Sequence, residues 1–171
     1  MLMVNVNAGE LCLERRWAPE SFARLIELFA ACPNVQVVLT GSPGEREYVE
    51  SVRGLVAEGL RGKVANVAGG VGFGEYLALL SRAAALVTND SGPLHLAVSL
   101  GVPTVSLWGP VLPDTFRPLS GEHRVIWEPL YCSPCLHWVE EPPCGGDNRC
   151  MKRIPWQRVA KELAQIMPVD V

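Results

Sequence analysis

The sequence has no apolar run approaching the ~18 residues that a membrane-spanning helix needs. It has no excess of positive charge either. Fifteen Lys and Arg against 18 Asp and Glu give a net charge of −3 and a pI near 5.6, which argues against a nucleic-acid-binding domain. The opening MLMVNVN is too short for a signal peptide and lacks its basic flank. No internal repeat or low-complexity tract is present. What the chain does have is 49% hydrophobic residues in a length of 171. That is enough for one domain, residues 1–171, with a sizeable core.

The most informative stretch is 86–110, LVTNDSGPLHLAVSLGVPTVSLWGP. It reads as strand, tight turn, short helix, strand. Asp90 or Ser91 is placed to cap the helix, and Pro93 fits only in its first turn. Leu94, Leu96, Ala97, Val98 and Leu100 make the helix apolar nearly all round, so it is expected to be buried. Gly101 and Pro103 end it. A helix N-terminus at the carboxyl end of a strand favours an anion, through free N–H groups and the helix dipole. Pro93 has no N–H, so Gly92, Leu94 and His95 are the expected backbone donors. His95 lies one turn past Ser91 and can donate to a phosphate oxygen, and Asp90 can accept from a sugar hydroxyl. The plain alternative is that Asp90 and Ser91 only cap the helix and His95 is a core histidine.

DSGPLHLAVSLGVPTVSLWGP resembles the signature of the heptosyltransferases, glycosyltransferase family 9. That family's pattern is Asp-Ser/Thr-Gly, two residues, His, an Ala-rich helix, Gly-x-Pro, a strand and Gly-Pro. All of these stand here in order. The family also carries a Lys/Arg-Arg-Trp-Pro element after a Gly-Ala turn. Here it is Gly9 and Arg15-Arg16-Trp17-Ala18-Pro19, with one residue inserted. The resemblance implies that Arg15 meets the donor phosphates; on its own, Arg15 also reads as part of an exposed basic loop. It places a nucleotide-binding carboxylate at Glu45, which otherwise reads as a first-turn acid favouring the helix dipole. It sets Val71, in the Gly-rich turn 68–73, beside the base, where glycines let a flat ring approach the backbone. The other reading of that turn is a tight β–α connection. The stretch after Pro110, VLPDTFRPLSGEH, is polar and Pro-rich and is expected to be a surface loop; in the family it flanks the donor sugar, which makes Thr115 and Arg117 candidates there. His123 shows no partner and is expected to be solvated.

Six cysteines remain: Cys12, Cys32, Cys132, Cys135, Cys144 and Cys150. The last four form CxxC, eight residues, C, five residues, C. This pattern is open to a tetrahedral zinc, to disulfides or to free thiols. The family often carries a similar cysteine insert, here at about 129–152, before a closing helix, here 155–166.

Strands alternating with helices imply a Rossmann-like, doubly wound parallel α/β sheet. The strands are expected at 2–7, 35–40, 64–67, 84–89, 104–108 and 124–128. A helix spans about 19–29, another runs from about 45 to 57, and the segment 7–18 is a loop. Ligands in such sheets bind outside the strand carboxyl ends, and Arg15, Glu45, Val71 and Asp90 to His95 all sit there. By resemblance the chain is the nucleotide-sugar-binding half of a GT-B fold, with no catalytic residue of its own. It is then expected to bind ADP-heptose or a related nucleotide sugar and to be inactive alone, with no required cofactor. The lipopolysaccharide core acceptor would enter through an amino-terminal half. The setting would be cytoplasmic, peripheral at the inner face of the bacterial inner membrane. An apolar face left by the other half would favour a homodimer. The competing expectations are a non-catalytic nucleotide-binding or assembly module, and a GT-B half using another nucleotide sugar.

Overall fold

The computed structural model describes residues 1–9, 12–136 and 138–167. Its strands are short, apolar and fully buried at the centre, as in a sheet covered on both faces. They are β1 (Leu2–Asn5), β2 (Val37–Thr40), β3 (Val64–Asn66), β4 (Ala85–Asn89), β5 (Thr104–Trp108) and β6 (His123–Trp127). All pair in parallel, in the order β3-β2-β1-β4-β5-β6. Each expected strand is present. β1 ends two residues early, at Asn5, and β2 starts two residues late, at Val37.

The helices are α1 (Pro19–Ala31), α2 (Arg46–Gly54), α3 (Glu58–Arg61), α4 (Phe73–Leu80), α5 (Gly92–Ser99), α6 (Pro113–Phe116), α7 (Arg149–Lys152) and α8 (Trp156–Ile166). Pro19 opens α1 at its first position, where a missing N–H costs nothing. Helices α1, α2 and α8 cover one face. Phe22, Leu25, Ile26, Val49, Val52, Val159 and Leu163 pack there against Leu2, Val4, Leu39, Val87 and Val105. On the opposite face Leu80 of α4 and Ala97 of α5 meet Met3, Val38 and Leu86. No described helix is long and apolar enough to cross a membrane.

Four local expectations are corrected. The helix expected to run to about residue 57 stops at Gly54, and a separate short helix, α3, follows at Glu58–Arg61. The loop before Trp17 contains a 3-10 turn, Leu13–Arg15. The stretch after Pro110 is not all surface loop: Val111 and Pro113 are buried, and α6 lies within it. Helix α5 is not buried all round. Only Leu94 and Ala97 are, and Leu100 is 40% exposed. A helix lying on a single sheet face has nothing to cover its outer side.

The cysteine insert is docked on the end of β5. Cys135 and Leu136 donate their N–H groups to the Pro110 carbonyl at 3.0 and 2.9 Å, and the Ser133 hydroxyl donates to the Gly109 carbonyl. Gly109 is what permits this approach. A Cβ there would lie 2.6 Å from Met151 Sδ and 2.8 Å from Cys150 Sγ. His123 is not solvated as expected: its Nε2 bonds the Pro118 carbonyl at 2.9 Å. Gly109→Ala should destabilise the chain by about 1–3 kcal/mol through overpacking, read from urea unfolding midpoints at unchanged slope. A midpoint equal to wild type would mean that α7 can move away at no cost.

Candidate functional site

The strand order reverses direction between β1 and β4. Loops leaving these two neighbours go to opposite faces of the sheet and open a crevice at their carboxyl ends. Two segments meet in it, residues 6–9 and 12–18 after β1 and the turn Asp90-Ser91 before α5.

Asn89 fixes that meeting. Its Oδ1 accepts the Trp17 N–H at 3.1 Å, and its Nδ2 lies 3.3 and 3.1 Å from the Val6 and Asn7 carbonyls. Trp17 is fully buried, stacks edge-on against Phe22 at 4.8 Å and donates Nε1 to the Ile154 carbonyl at 3.0 Å. A second network lies beside it. Asn5 Nδ2 reaches Thr88 Oγ1 at 3.2 Å and Ser91 Oγ at 3.1 Å, and the Thr88 and Ser91 hydroxyls are 3.0 Å apart. Sequence reasoning passed over Asn5, Thr88 and Asn89 as site residues. Their signal was there: each is a polar residue at the carboxyl end of an otherwise apolar buried strand.

These networks change the roles of the predicted residues. Ser91 stands at the N-cap of α5, but its hydroxyl makes no cap bond; it is spent on Asn5, Thr88 and the Asn89 carbonyl. Leu94 is not a free donor, because its N–H goes to the Ser91 carbonyl at 3.0 Å. Its side chain is core, packed with Trp108 and Val111. Pro93 lacks an N–H, so Gly92 is the donor left at the lip of the crevice. His95 is exposed, so it is not a core histidine, and it does not line the cavity.

Arg15 is not an exposed loop arginine. Its side chain retains 20% exposure, and it bridges the two loops. Nη2 donates to the Ala8 carbonyl at 2.8 Å and Nη1 to the Asp90 carbonyl at 3.2 Å. The Asp90 carboxylate stands 3.7 Å from Nη1, and Arg15 Nε is buried with no partner among the described residues.

A cavity of about 490 Å³ opens at this point and runs across the tips of β4, β1, β2 and β3. This lies within the 300–1,000 Å³ usual for small-molecule sites. Arg15, Ser91, Gly92 and Pro93 line one end; Val67, Val71, Phe73 and Tyr76 line the other; Thr40, Ser42 and Glu45 lie between. Of the predicted residues, Arg15, Glu45, Val71, Ser91 and Gly92 line this cavity, and Asp90, Leu94 and His95 do not. Glu45 already has a structural task, since its Oε2 accepts the Ser42 N–H at 2.7 Å. Within the glycine turn, Gly69 has a packing task of its own. Gly69 has φ +64°, and a Cβ on it would lie 2.6 Å from Pro43 Cα. Its bare backbone lets one loop rest on the other and shape the far wall. Thr115 and Arg117 lie away from the cavity, and Arg117 pairs with Asp114 at 3.1 Å.

The sequence from residue 3 to 143 matches the family Glycosyltransferase family 9 (heptosyltransferase). The chain belongs to glycosyltransferase family 9. It is 34% identical over 112 residues to lipopolysaccharide heptosyltransferase 2 of Escherichia coli, a match covering 66% of this chain and 32% of that protein. It is 33% identical to lipooligosaccharide heptosyltransferase 2 of Haemophilus influenzae, over the same shares. Among solved structures, E. coli ADP-heptose lipopolysaccharide heptosyltransferase II superposes with a TM-score of 0.82 at 29% identity, over 98% of this chain and 46% of that one. An E. coli heptosyltransferase solved with ADP-2-deoxy-2-fluoro heptose shares the fold, with a TM-score of 0.66 at 19% identity over 96% of this chain and 42% of that one. The chain thus spans less than half the length of the relatives it matches.

All six cysteines stand as free thiols in this structure. Among the described residues no three His, Cys, Asp or Glu side chains gather closely enough to hold a metal ion. The thiols still differ. Burial, above all, pushes Cys150 up to about 11 and raises Cys135. At Cys144 burial also pushes upward, but backbone N–H groups around Asn148, Gly146 and Arg149 outweigh it and leave the thiol below its usual value.

Two expectations follow from this geometry. Asn89→Ala leaves the Val6 and Asn7 carbonyls and the Trp17 N–H unpaired. It should cost about 2–4 kcal/mol and raise amide exchange across residues 6–17. Unaltered exchange there would show that the loop holds itself. Cys144 should also be alkylated by iodoacetamide at lower pH than Cys135 or Cys150, because a lower pKa gives more thiolate at a given pH. Peptide mapping across a pH series checks the order, and labelling of Cys150 first would contradict it.

Proposed function

We propose that this chain is the donor-binding half of a heptosyltransferase, holding ADP-heptose or a closely related nucleotide sugar in the cavity at the strand tips. One observation carries this: the cavity lies across the reversal of strand order, with Arg15 and the start of α5 at the same end of it. A partly buried guanidinium beside an open helix N-terminus is suited to a diphosphate. The relatives that share the family act in lipopolysaccharide synthesis, and one neighbour of the same fold was solved with a fluorinated ADP-heptose.

In this arrangement the diphosphate lies against the Gly92 N–H and Arg15. The ribose reaches Glu45, whose carboxylate has lone pairs beyond the one engaged by Ser42. The base rests on Val71. The acceptor hydroxyl attacks the anomeric carbon as the bond from that carbon to the diphosphate oxygen breaks. The departing ADP gains negative charge, which Arg15 and the dipole of α5 stabilise. The acceptor loses its proton to a carboxylate in the other half. That half would also hold the lipopolysaccharide core, at the cytoplasmic face of the inner membrane.

Calorimetric titration with ADP, UDP and GDP tests the proposal. ADP should bind best, and Arg15→Ala should weaken it by about 1.5–3 kcal/mol, the range for hydrogen bonds to charged groups. Preference for UDP would point to another nucleotide sugar. Heptose transfer by the isolated chain would contradict its role as a half.

A further inference from the structure

The polar row across the strand tips is not uniformly satisfied. Thr40, Asn5 and Thr88 stand side by side in register on β2, β1 and β4. Asn5 and Thr88 bond to each other and to Ser91. The Thr40 hydroxyl, on a residue only 2% exposed, has no partner among the described residues. Tyr76 repeats the pattern. Its ring packs against the cluster of Met3, Val38, Leu80 and Leu86, and its hydroxyl is buried and equally unpartnered. Both residues line the cavity. A buried hydroxyl with no partner is destabilising, so two lining one cavity call for an occupant that completes them.

Their position says which part of an occupant. Arg15, Gly92 and Pro93 mark one end of the cavity, by the tip of β4. Thr40 lies two strands away, roughly 10 Å at the spacing of neighbouring strands, and Tyr76 belongs to the opposite wall. That wall is otherwise apolar, with Val67, Val71 and Phe73. Burial pushes the Tyr76 phenol up to about 12, so it keeps its proton and can both donate and accept.

We propose that the hydroxyls of Thr40 and Tyr76 hydrogen-bond the nucleoside portion of the ligand and set which nucleoside the cavity accepts. This rests on the donor-binding role proposed above. Titrations of the full chain with ADP and with inorganic pyrophosphate separate the two. Failure of the wild-type chain to bind ADP would overturn the donor role itself. With ADP bound, Tyr76→Phe and Thr40→Val should each weaken it about 10-fold and leave pyrophosphate affinity unchanged, while Thr40→Ser, which keeps the hydroxyl, should restore ADP binding. Equal ADP affinity in wild type, Tyr76→Phe and Thr40→Val would overturn the nucleoside assignment and leave donor binding standing. A parallel loss for pyrophosphate would overturn it too, because the effect would then belong to the cavity as a whole.

Discussion

A polar side chain inside a sheet must find hydrogen-bond partners or cost the fold a large part of its stability. Asn89 sits at 0% exposure at the end of the central strand β4, where no water can serve it. It is satisfied by backbone from the segment after β1, with the Trp17 N–H on one side and the Val6 and Asn7 carbonyls on the other. The same bonds therefore satisfy the core and position the loop that carries Arg15. Trp17 extends the coupling to the carboxyl-terminal side, through Ile154. Asn148 adds a further tie by donating to the Arg16 carbonyl at 2.6 Å.

This explains how a loop that is irregular over most of its described residues can present a cation in a fixed place. Loops are ordinarily the mobile part of an α/β domain. Here the segment is pinned at Asn7, Arg16 and Trp17, and Arg15 lies among the pinned residues. The 3-10 turn ending at Arg15 sets the side chain toward Ala8 and Asp90. The far wall is shaped by different means: Gly69 rests its backbone on Pro43, and Glu45 holds the Ser42 amide.

The strands and their parallel arrangement were legible because parallel central strands read as plain apolar runs between turn residues. The crevice was legible for the same reason, since each turn follows a strand end. Side-chain tasks were harder to read. Ser91 and Leu94 fit a capping and donor pattern by spacing, yet Leu94 gives its N–H to the Ser91 carbonyl one turn back, and the Ser91 hydroxyl goes to nearby Thr88 and to Asn5, 86 positions away along the chain. Local spacing has no access to partners that distant. Helix α5 failed for a related reason. Its composition is that of a buried helix, but the number of layers above it is a property of the whole fold. His95 illustrates the limit from the other side, because a motif fixes the turn on which a residue sits without fixing what stands opposite it.

The pairing of Arg15 with Asp90 bears on how the crevice handles charge. Burying a guanidinium is costly unless it is paired, and a chain of net charge −3 has no general attraction for an anion. The structure meets both conditions locally. Two carbonyls and one carboxylate hold the guanidinium in place, while Arg15 Nε has no partner. The carboxylate is the weaker hold, at 3.7 Å, too long for a good charge-assisted hydrogen bond. Under the proposed donor role, a diphosphate at this end would meet the guanidinium while its two carbonyl bonds stay in place. Under the same proposal, the looser hold of Asp90 would be the one that gives way to the ligand, while the two carbonyls keep the cation in place.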